Sequence, residues 1–340
     1  MSSFLDSLDP EARELLLAVS TPVSFTVGST LVRHGEPARG AYVLREGAVE
    51  ANVTLPGGES LTVAKLGAGS VFGEMSLVEL GTCTATVRAT AAVDGWFVAS
   101  EDFRALVSRR QPAAARLQHA LTLILAEKLA ALNAQLQGCT APEDRPAREA
   151  AARDPLAGVP RTRVAPFDAS GFLPRLPFFE RFSEDEIDEL VSHASYVEVP
   201  RGNAIFTPQG AAASAFIVVR GAAEIVTVRD ACERRVAVLG PGQLIGYSAV
   251  LRRGAHNSFA YARESALLLD IPARAFHEIY FGESRTSTRL RSAVQKSLLG
   301  SMARTNRALT RLLSQAKLEA ATREGRKLEA ALHGQLTTAG

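Results

Sequence analysis

Cysteine is scarce in this chain: 340 residues carry three, Cys83, Cys139 and Cys232, beside a single tryptophan. Three scattered thiols are too few for a disulfide framework and lack metal-ligand spacing, which points to a reducing compartment, the cytoplasm. The six histidines (His34, His119, His193, His256, His277, His333) form no ligand cluster, so neither a metal nor a haem is expected. No apolar run approaches the length of a membrane span. The first ten residues have no basic region, and Asp6 and Asp9 interrupt any apolar stretch, so no signal peptide is expected. There is no Gly-rich phosphate loop and no nucleophile–base pair at recognisable spacing, so the chain does not read as an enzyme. A formal charge of +2 excludes a strong global field as the basis of binding.

What is present is enough apolar residue, 46%, for two sizeable cores. Residues 4–19 have the spacing of an amphipathic helix, with Asp9-Pro10 as its N-cap and first position. From residue 23 the rhythm changes to short strands punctuated by glycine: 23–27, 30–33, 41–46, 48–55 and 60–65, with Pro56-Gly57-Gly58 as a hairpin turn. Helical periodicity returns at 102–107 and 113–137, where Leu121, Leu125, Leu129, Leu132 and Leu136 form a stripe.

Within this β-rich half, the stretch Phe72-Gly73-Glu74-Met75-Ser76-Leu77 combines a tight turn, a carboxylate and a short helical piece at 75–80, followed by a strand at 84–90. Backbone N–H groups at the mouth of such a turn face outward and suit an anion, while the carboxylate suits a hydroxyl donor. Together they describe a pocket for a phosphate and a sugar hydroxyl. The stretch resembles the phosphate-binding cassette of cyclic nucleotide-binding domains, the β-rolls of catabolite activator proteins and protein kinase A regulatory subunits. That resemblance implies an α+β fold of two jelly-roll-like β-rolls, each followed by long α-helices. It implies a ribose contact for Glu74, a phosphate-pairing arginine after a short spacer, and a supporting Ser or Thr. Gly73, Glu74, Ser76, Ala85 and Thr86 match the family's pattern; Cys83 stands where the arginine belongs. The candidate ligand set is therefore Gly73, Glu74, Met75, Ser76, Cys83, Thr84, Ala85 and Thr86, for a cyclic nucleotide such as cAMP or cGMP, with no other cofactor. A charge-assisted hydrogen bond is worth about 1.5–3 kcal/mol, so losing the arginine costs roughly one to two orders of magnitude in affinity. A cysteine beside an anion cradle can have a lowered pKa, but a small half-buried strand residue is the favoured reading of Cys83.

The first half then repeats. Gly202 falls on Gly28, Phe216 on Tyr42, Gly221 on Gly47 and Glu224 on Glu50, all 174 residues apart. Past the hairpin the separation becomes 173: Gly246 on Gly73, Leu269 on Trp96, Phe276 on Phe103. A one-residue change inside a turn is what a duplicated β-roll tolerates. The second cassette, with Gly246, Tyr247, Ser248, His256 and Asn257 as its candidate residues, keeps the glycine at Gly246 but places Tyr247 at the Glu74 position, Ser248 at the Met75 position, His256 at the Cys83 position, Asn257 at the Thr84 position and Phe259 at the Thr86 position. Bulky rings there fill a nucleotide pocket rather than line one.

The expected organisation is a first roll with its helix at 1–137 and a flexible linker at 138–171. A degenerate second roll follows at 172–282, then a basic helical region at 283–340. The linker is marked by Pro142, Pro146, Pro155, Gly158, Pro160, Pro166 and Gly171 and by few large apolar residues. In the last region, Leu298, Met302, Thr305, Leu309, Leu312 and Ala316 keep a heptad rhythm, and with the 121–136 stripe they predict a homodimer held by long helices. Seven basic residues and no acidic ones fall between Arg285 and Gln315 (Arg285, Arg289, Arg291, Lys296, Arg304, Arg307, Arg311), which offers contact with a nucleic acid, an anionic surface or an acidic protein. Three functional readings remain: a non-enzymatic sensor signalling through its helices to a partner protein, a ligand-free scaffold, and, lowest, a catabolite-activator-type transcription regulator, for which no helix-turn-helix is visible.

Overall fold

The structure is a computed structural model describing residues 4–54, 60–109, 111–138, 145–148, 154–165, 167–208, 212–229 and 231–337. The Pro56-Gly57-Gly58 turn, Cys139, Pro142 and Pro166 lie outside these residues, as does the Ala316 side chain.

The first β-roll is two four-stranded antiparallel sheets. One contains β1 (Ser20–Phe25), β8 (Val93–Ala99), β3 (Gly40–Glu46) and β6 (Val71–Phe72). The other contains β2 (Thr30–Val32), β7 (Thr86–Ala89), β4 (Ala48–Thr54) and β5 (Ser60–Gly67). Around it lie α1 (Pro10–Ala18), α2 (Met75–Val78), α3 (Ser100–Ser108) and the long α4 (Pro112–Gly138). Asp9 caps α1 as its spacing requires, accepting from the Ala12 N–H at 3.0 Å. The chain ahead of α1 is a single 3-10 turn over Leu5–Ser7 rather than part of that helix, because Pro10 has no N–H to continue one.

The second roll repeats this plan. Its helices are α6 (Glu184–Ser192), α7 (Tyr247–Leu251), α8 (Ala273–Phe281) and α9 (Arg285–Thr337). A capping box at Ser183 and Glu186 starts α6. Its sheets are built from β11 (Ser195–Val199), β18 (Ala266–Pro272), β13 (Ser214–Arg220) and β16 (Leu244–Ile245), and from β12 (Ala204–Phe206), β17 (Phe259–Ala262), β14 (Ala223–Arg229) and β15 (Cys232–Leu239). Each sheet has a fifth strand that the first roll lacks. These are β9 (Arg145–Pro146) against β15 and β10 (Arg161–Thr162) against β11.

That addition revises the expected linker. Its described parts include two short strands, β9 and β10, on the edges of the second roll. Leu156, 3% exposed, enters that roll's interior beside Val197, Phe216 and Leu268. Arg161 pairs with the buried Asp270 at 2.7 Å. Composition pointed to chain without a core; a single leucine and two arginines are enough to anchor it.

Each roll has its own interior, and a third, larger core joins them. Helices α1, α3, α4, α6, α8 and α9 form a layer whose buried residues run continuously from Phe4 through Leu121 and Leu125 to Leu290, Val294, Leu298 and Met302. Within it α4 and α9 lie side by side and point the same way, since Gln118 meets Gln295 at 3.0 Å and Asn133 meets Thr305 at 3.0 Å. Residues that the repeat makes equivalent touch each other: Thr122 accepts from Gln295 at 3.0 Å, and Gln118 accepts from the Arg291 guanidinium at 3.2 Å. Contact between equivalent positions is the mark of a two-fold interface, here formed inside one chain.

Much of the expected homodimer seam is used within the chain. Leu121, Leu125 and Leu129 of the stripe share one buried core with Leu298 and Met302, and Thr305 is buried against Asn133. Part of the expected basic face is used within the chain as well. Arg291 is buried and donates to the Tyr280 and Gly282 carbonyls at 2.7 and 2.9 Å. Arg289 faces Glu186 at 3.6 Å and Lys296 faces Glu180 at 3.2 Å, while Arg304 donates to Ser301 at 3.0 Å. Of these four, Arg291 is committed to the fold, while Arg289 and Lys296 sit in ion pairs with about half of each side chain exposed.

Candidate functional site

Gly73 has a φ of +76°, and a Cβ there would come within 2.6 Å of the Gly40 carbonyl oxygen, so only glycine makes this turn. The turn delivers Glu74 to the start of α2 with 4% of its surface exposed. The Ser76 and Leu77 N–H groups are not free for an anion; they donate to the Gly73 and Glu74 carbonyls at 3.0 and 3.1 Å. The Ser76 hydroxyl also donates to the Gly73 carbonyl, at 2.7 Å, and holds the turn closed.

Sequence reasoning missed the partner of Glu74. Lys128 of α4 places its ammonium 2.8 Å from the carboxylate and donates to the Val71 carbonyl at 2.9 Å. A hydroxyl-bearing ligand at Glu74 must therefore share the carboxylate with Lys128 or displace it. The repeat carries the signal that could have found this pair. Adding 173 to Glu74 and Lys128 gives Tyr247 and Ser301, and these two also meet, Oη to Oγ, at 3.4 Å. Both members changed together, as residues that touch across one interface do.

The rest of the first cassette is partly reached by solvent. Tyr42 stacks on Phe72 at 5.0 Å between ring centroids and donates its hydroxyl to the Leu31 carbonyl at 3.3 Å. Tyr42, Leu31, Val32, Ala64, Leu66 and Ala85 line the roll interior while remaining half-exposed. Cys83 is half-buried; its N–H donates to the Glu36 carbonyl and its carbonyl accepts from Gly35, both at 2.8 Å. Burial, reinforced by the Glu36 charge, pushes its thiol pKa up. This fits the half-buried strand residue and not an activated thiolate. The Thr86 hydroxyl accepts from the His34 N–H at 3.1 Å, and Thr84 is exposed. Met75 turns the other way, toward the helical layer, because its place on α2 faces α9 and not the roll interior.

The second cassette brings the equivalent residues together and closes. Gly246 keeps the same φ of +76°. Tyr247 is buried, and burial pushes its phenol up to about 12. His256 stacks on Phe206, ring centroids 3.9 Å apart, directly over Gly246. Burial, with a smaller contribution from the Arg252 charge, lowers the His256 pKa to about 4, so the ring is neutral and offers an anion no charge. Phe259 stacks on Tyr261 at 5.8 Å, Ser248 is half-exposed, and Asn257 is exposed. Among the described residues no group of three His, Cys, Asp or Glu could hold a metal ion, and no helix is long and apolar enough to cross a membrane.

Two antiparallel β-rolls, each with a Gly-led cassette and a trailing helix, are the architecture of a nucleotide-sensing module. The cyclic nucleotide-binding domain family matches residues 22–110 and 196–282, just over half of the sequence, and the chain belongs to that family as a tandem pair. A stretch of 128 residues is 32% identical to the cyclic AMP receptor protein of Thermus thermophilus, covering 38% of this chain and 57% of that protein. Another of 132 residues is 34% identical to glutaminase 1 of Bradyrhizobium diazoefficiens, covering 39% of this chain and 21% of that one. The chain thus spans between a fifth and just over half of these curated relatives. The regulatory domain of Toxoplasma gondii protein kinase A, solved with cAMP, aligns over 93% of both chains at 16% identity with a TM-score of 0.30.

Proposed function

We propose that the chain is a non-enzymatic regulatory module whose first roll receives a ribose-bearing nucleotide weakly and whose second roll is a structural copy. The observation that carries this reading is the contrast at one position. Glu74 remains a carboxylate held by a displaceable ammonium, whereas Tyr247 is a phenol sealed into the core. A ligand hydroxyl that takes Glu74 releases Lys128 from the cassette. Because Lys128 sits on α4, and α4 packs along α9, that release reaches the second roll and any partner protein reading the helices. With Cys83 in place of a cation, the phosphate contributes little, so affinity rests on the ribose contact.

Calorimetric titration of the full chain with cAMP and with cGMP tests this. Heat of binding that disappears in Glu74→Gln supports the reading. Binding that survives Glu74→Gln, or no binding by wild type at millimolar ligand, leaves a ligand-free scaffold for protein contacts, which the closed second cassette favours as the alternative. The expected cytoplasmic location and the low-ranked transcriptional role rest on sequence reading alone.

A further inference from the structure

The second roll has lost nucleotide chemistry but carries another binding chemistry on its outer face. Glu224 on β14 and Glu233 on β15 have side chains only 12% and 7% exposed, and Tyr261 on β17 is 5% exposed beside them. Two sunken carboxylates around an aromatic face form a receptor for a planar cation: the acids match the fork of a guanidinium and the ring its flat surface. Arg148 fills it. Its guanidinium lies 4.2 Å from the Tyr261 ring centroid, its Nε is 3.2 Å from Glu233, and its Nη2 pairs with Glu224. The backbone is read as well. β9 extends the sheet on β15, with Arg145 opposite Glu233 and Pro146 opposite Cys232, and the Ala147 N–H donates to the Ala231 carbonyl at 2.8 Å. The first roll has nothing of the kind, since its equivalent positions are Glu50, Ser60 and Arg88.

We propose that edge β15 of the second roll is an arginine-reading groove. Residues 145–148 occupy it in cis, and it accepts in trans an extended, arginine-bearing segment of a partner protein. Two features make the occupant exchangeable. Among the described residues the strap is held there by a two-residue ladder, the Ala147 N–H on the Ala231 carbonyl, the Arg148 N–H on Glu233 at 3.4 Å and the Arg148 guanidinium, and its ladder residue Pro146 and Arg148 are themselves exposed. Its second anchor, Leu156 with Arg161 on Asp270, is separate and stays in place when 145–148 lift away. Adding a strand to a sheet edge while pockets read its side chains is an established way to bind a peptide. This site is independent of the first cassette, and it stands or falls without the nucleotide reading.

The test uses the full chain and a fluorescein-labelled peptide of residues 144–150, Asp-Arg-Pro-Ala-Arg-Glu-Ala, followed by anisotropy. In Arg148→Ala the groove is vacated, and the peptide should bind at least about tenfold more tightly than to wild type, where the tethered strap competes at a millimolar-range effective concentration. A peptide carrying Lys at the Arg148 position should lose most of that binding, because an ammonium cannot match both carboxylates and the ring. Equal binding by the two peptides, or none to a folded Arg148→Ala, overturns the proposal. Hydrogen exchange on the wild type gives a second reading that needs no variant. The Ala147 amide should exchange orders of magnitude faster than the β14 amides, reporting local opening. Protection of Ala147 equal to that of β14 makes the strap a fixed part of the fold and refutes exchange.

Discussion

The two rolls share a backbone plan and differ in what fills it. In the first, the interior aromatic Tyr42 is half-exposed and the cassette carboxylate Glu74 meets an ammonium. In the second, Phe216 replaces Tyr42 at 4% exposure, Tyr247 replaces Glu74, and His256 and Phe206 stack over the turn. A carboxylate and a phenol hydroxyl have been exchanged for packed rings. A duplicated domain needs only one ligand-competent copy if the other contributes half of a shared helical core, and the α4–α9 seam is that core. The second copy buries these positions where the first leaves a carboxylate paired with an ammonium.

If this contrast is sound, the two latches between cassette and helix should differ sharply in energy. Lys128→Met leaves the sunken Glu74 carboxylate without its counter-charge, and breaking such a pair costs about 3–5 kcal/mol. Ser301→Ala removes a neutral 3.4 Å contact to Tyr247, worth at most about 1 kcal/mol. Denaturant unfolding of both variants measures the difference. Equal losses would mean that the first latch is no more ionic in effect than the second.

The seam itself offers the next largest effect. Leu298 is fully buried between the long helices, so Leu298→Ala should cost about 2–5 kcal/mol. Light scattering on the same variant should show the wild-type mass, because the residue packs within its own chain. A fall in mass accompanying the loss of stability would instead restore an intermolecular seam.

His256 allows the closed cassette to be probed by pH. The ring's pKa falls from an ordinary 6.5 to about 4 in the folded protein, so the folded state resists a proton that the unfolded state accepts. Its contribution is complete above pH 6.5 and is lost as pH falls through about 4. Over that window the loss reaches roughly 3 kcal/mol. Chemical denaturation at pH 7 and pH 4.5 should show a steeper decline for wild type than for His256→Gln. Identical slopes would place the imidazole in contact with solvent.

Much of this was legible in the chain. Most strands of the first roll, the Asp9 cap and the 173-residue repeat follow from local signals: glycine at positive φ, proline at a helix start, period-two alternation. β1 begins at Ser20 rather than 23, and the two-residue β6 is too short to leave a pattern. Long-range partners were not. The heptad at 298–312 says that a partner helix exists but not whose, because α4 and a second copy of α9 present the same kind of apolar stripe. Lys128 is one cation on a long helix, and nothing near it in sequence marks its reach to Glu74. The strap was misread for a related reason. Propensity describes what proline-rich chain does alone, while the sunken Glu224, Glu233 and Asp270 decide what it does beside the second roll.

The finest test of the comparison restores one charge. Cys83 stands where the family resemblance calls for an arginine, and its half-buried thiol lies close enough to Tyr42 to add to the burial-driven rise of the Tyr42 pKa. Cys83→Arg should add a phosphate contact worth about 1.5–3 kcal/mol, a ten- to hundredfold gain for cAMP or cGMP. The gain should vanish in the Cys83→Arg, Glu74→Gln double variant, since phosphate and ribose must be held together. His256→Arg in the second roll should add nothing, because Tyr247 lacks the carboxylate and the pocket is already packed. Calorimetry on the three variants reads all of this. A folded Cys83→Arg protein that binds no more tightly than wild type would show that the first roll has lost the nucleotide's shape as well as its charge, and the difference between the two copies would then be one of packing alone.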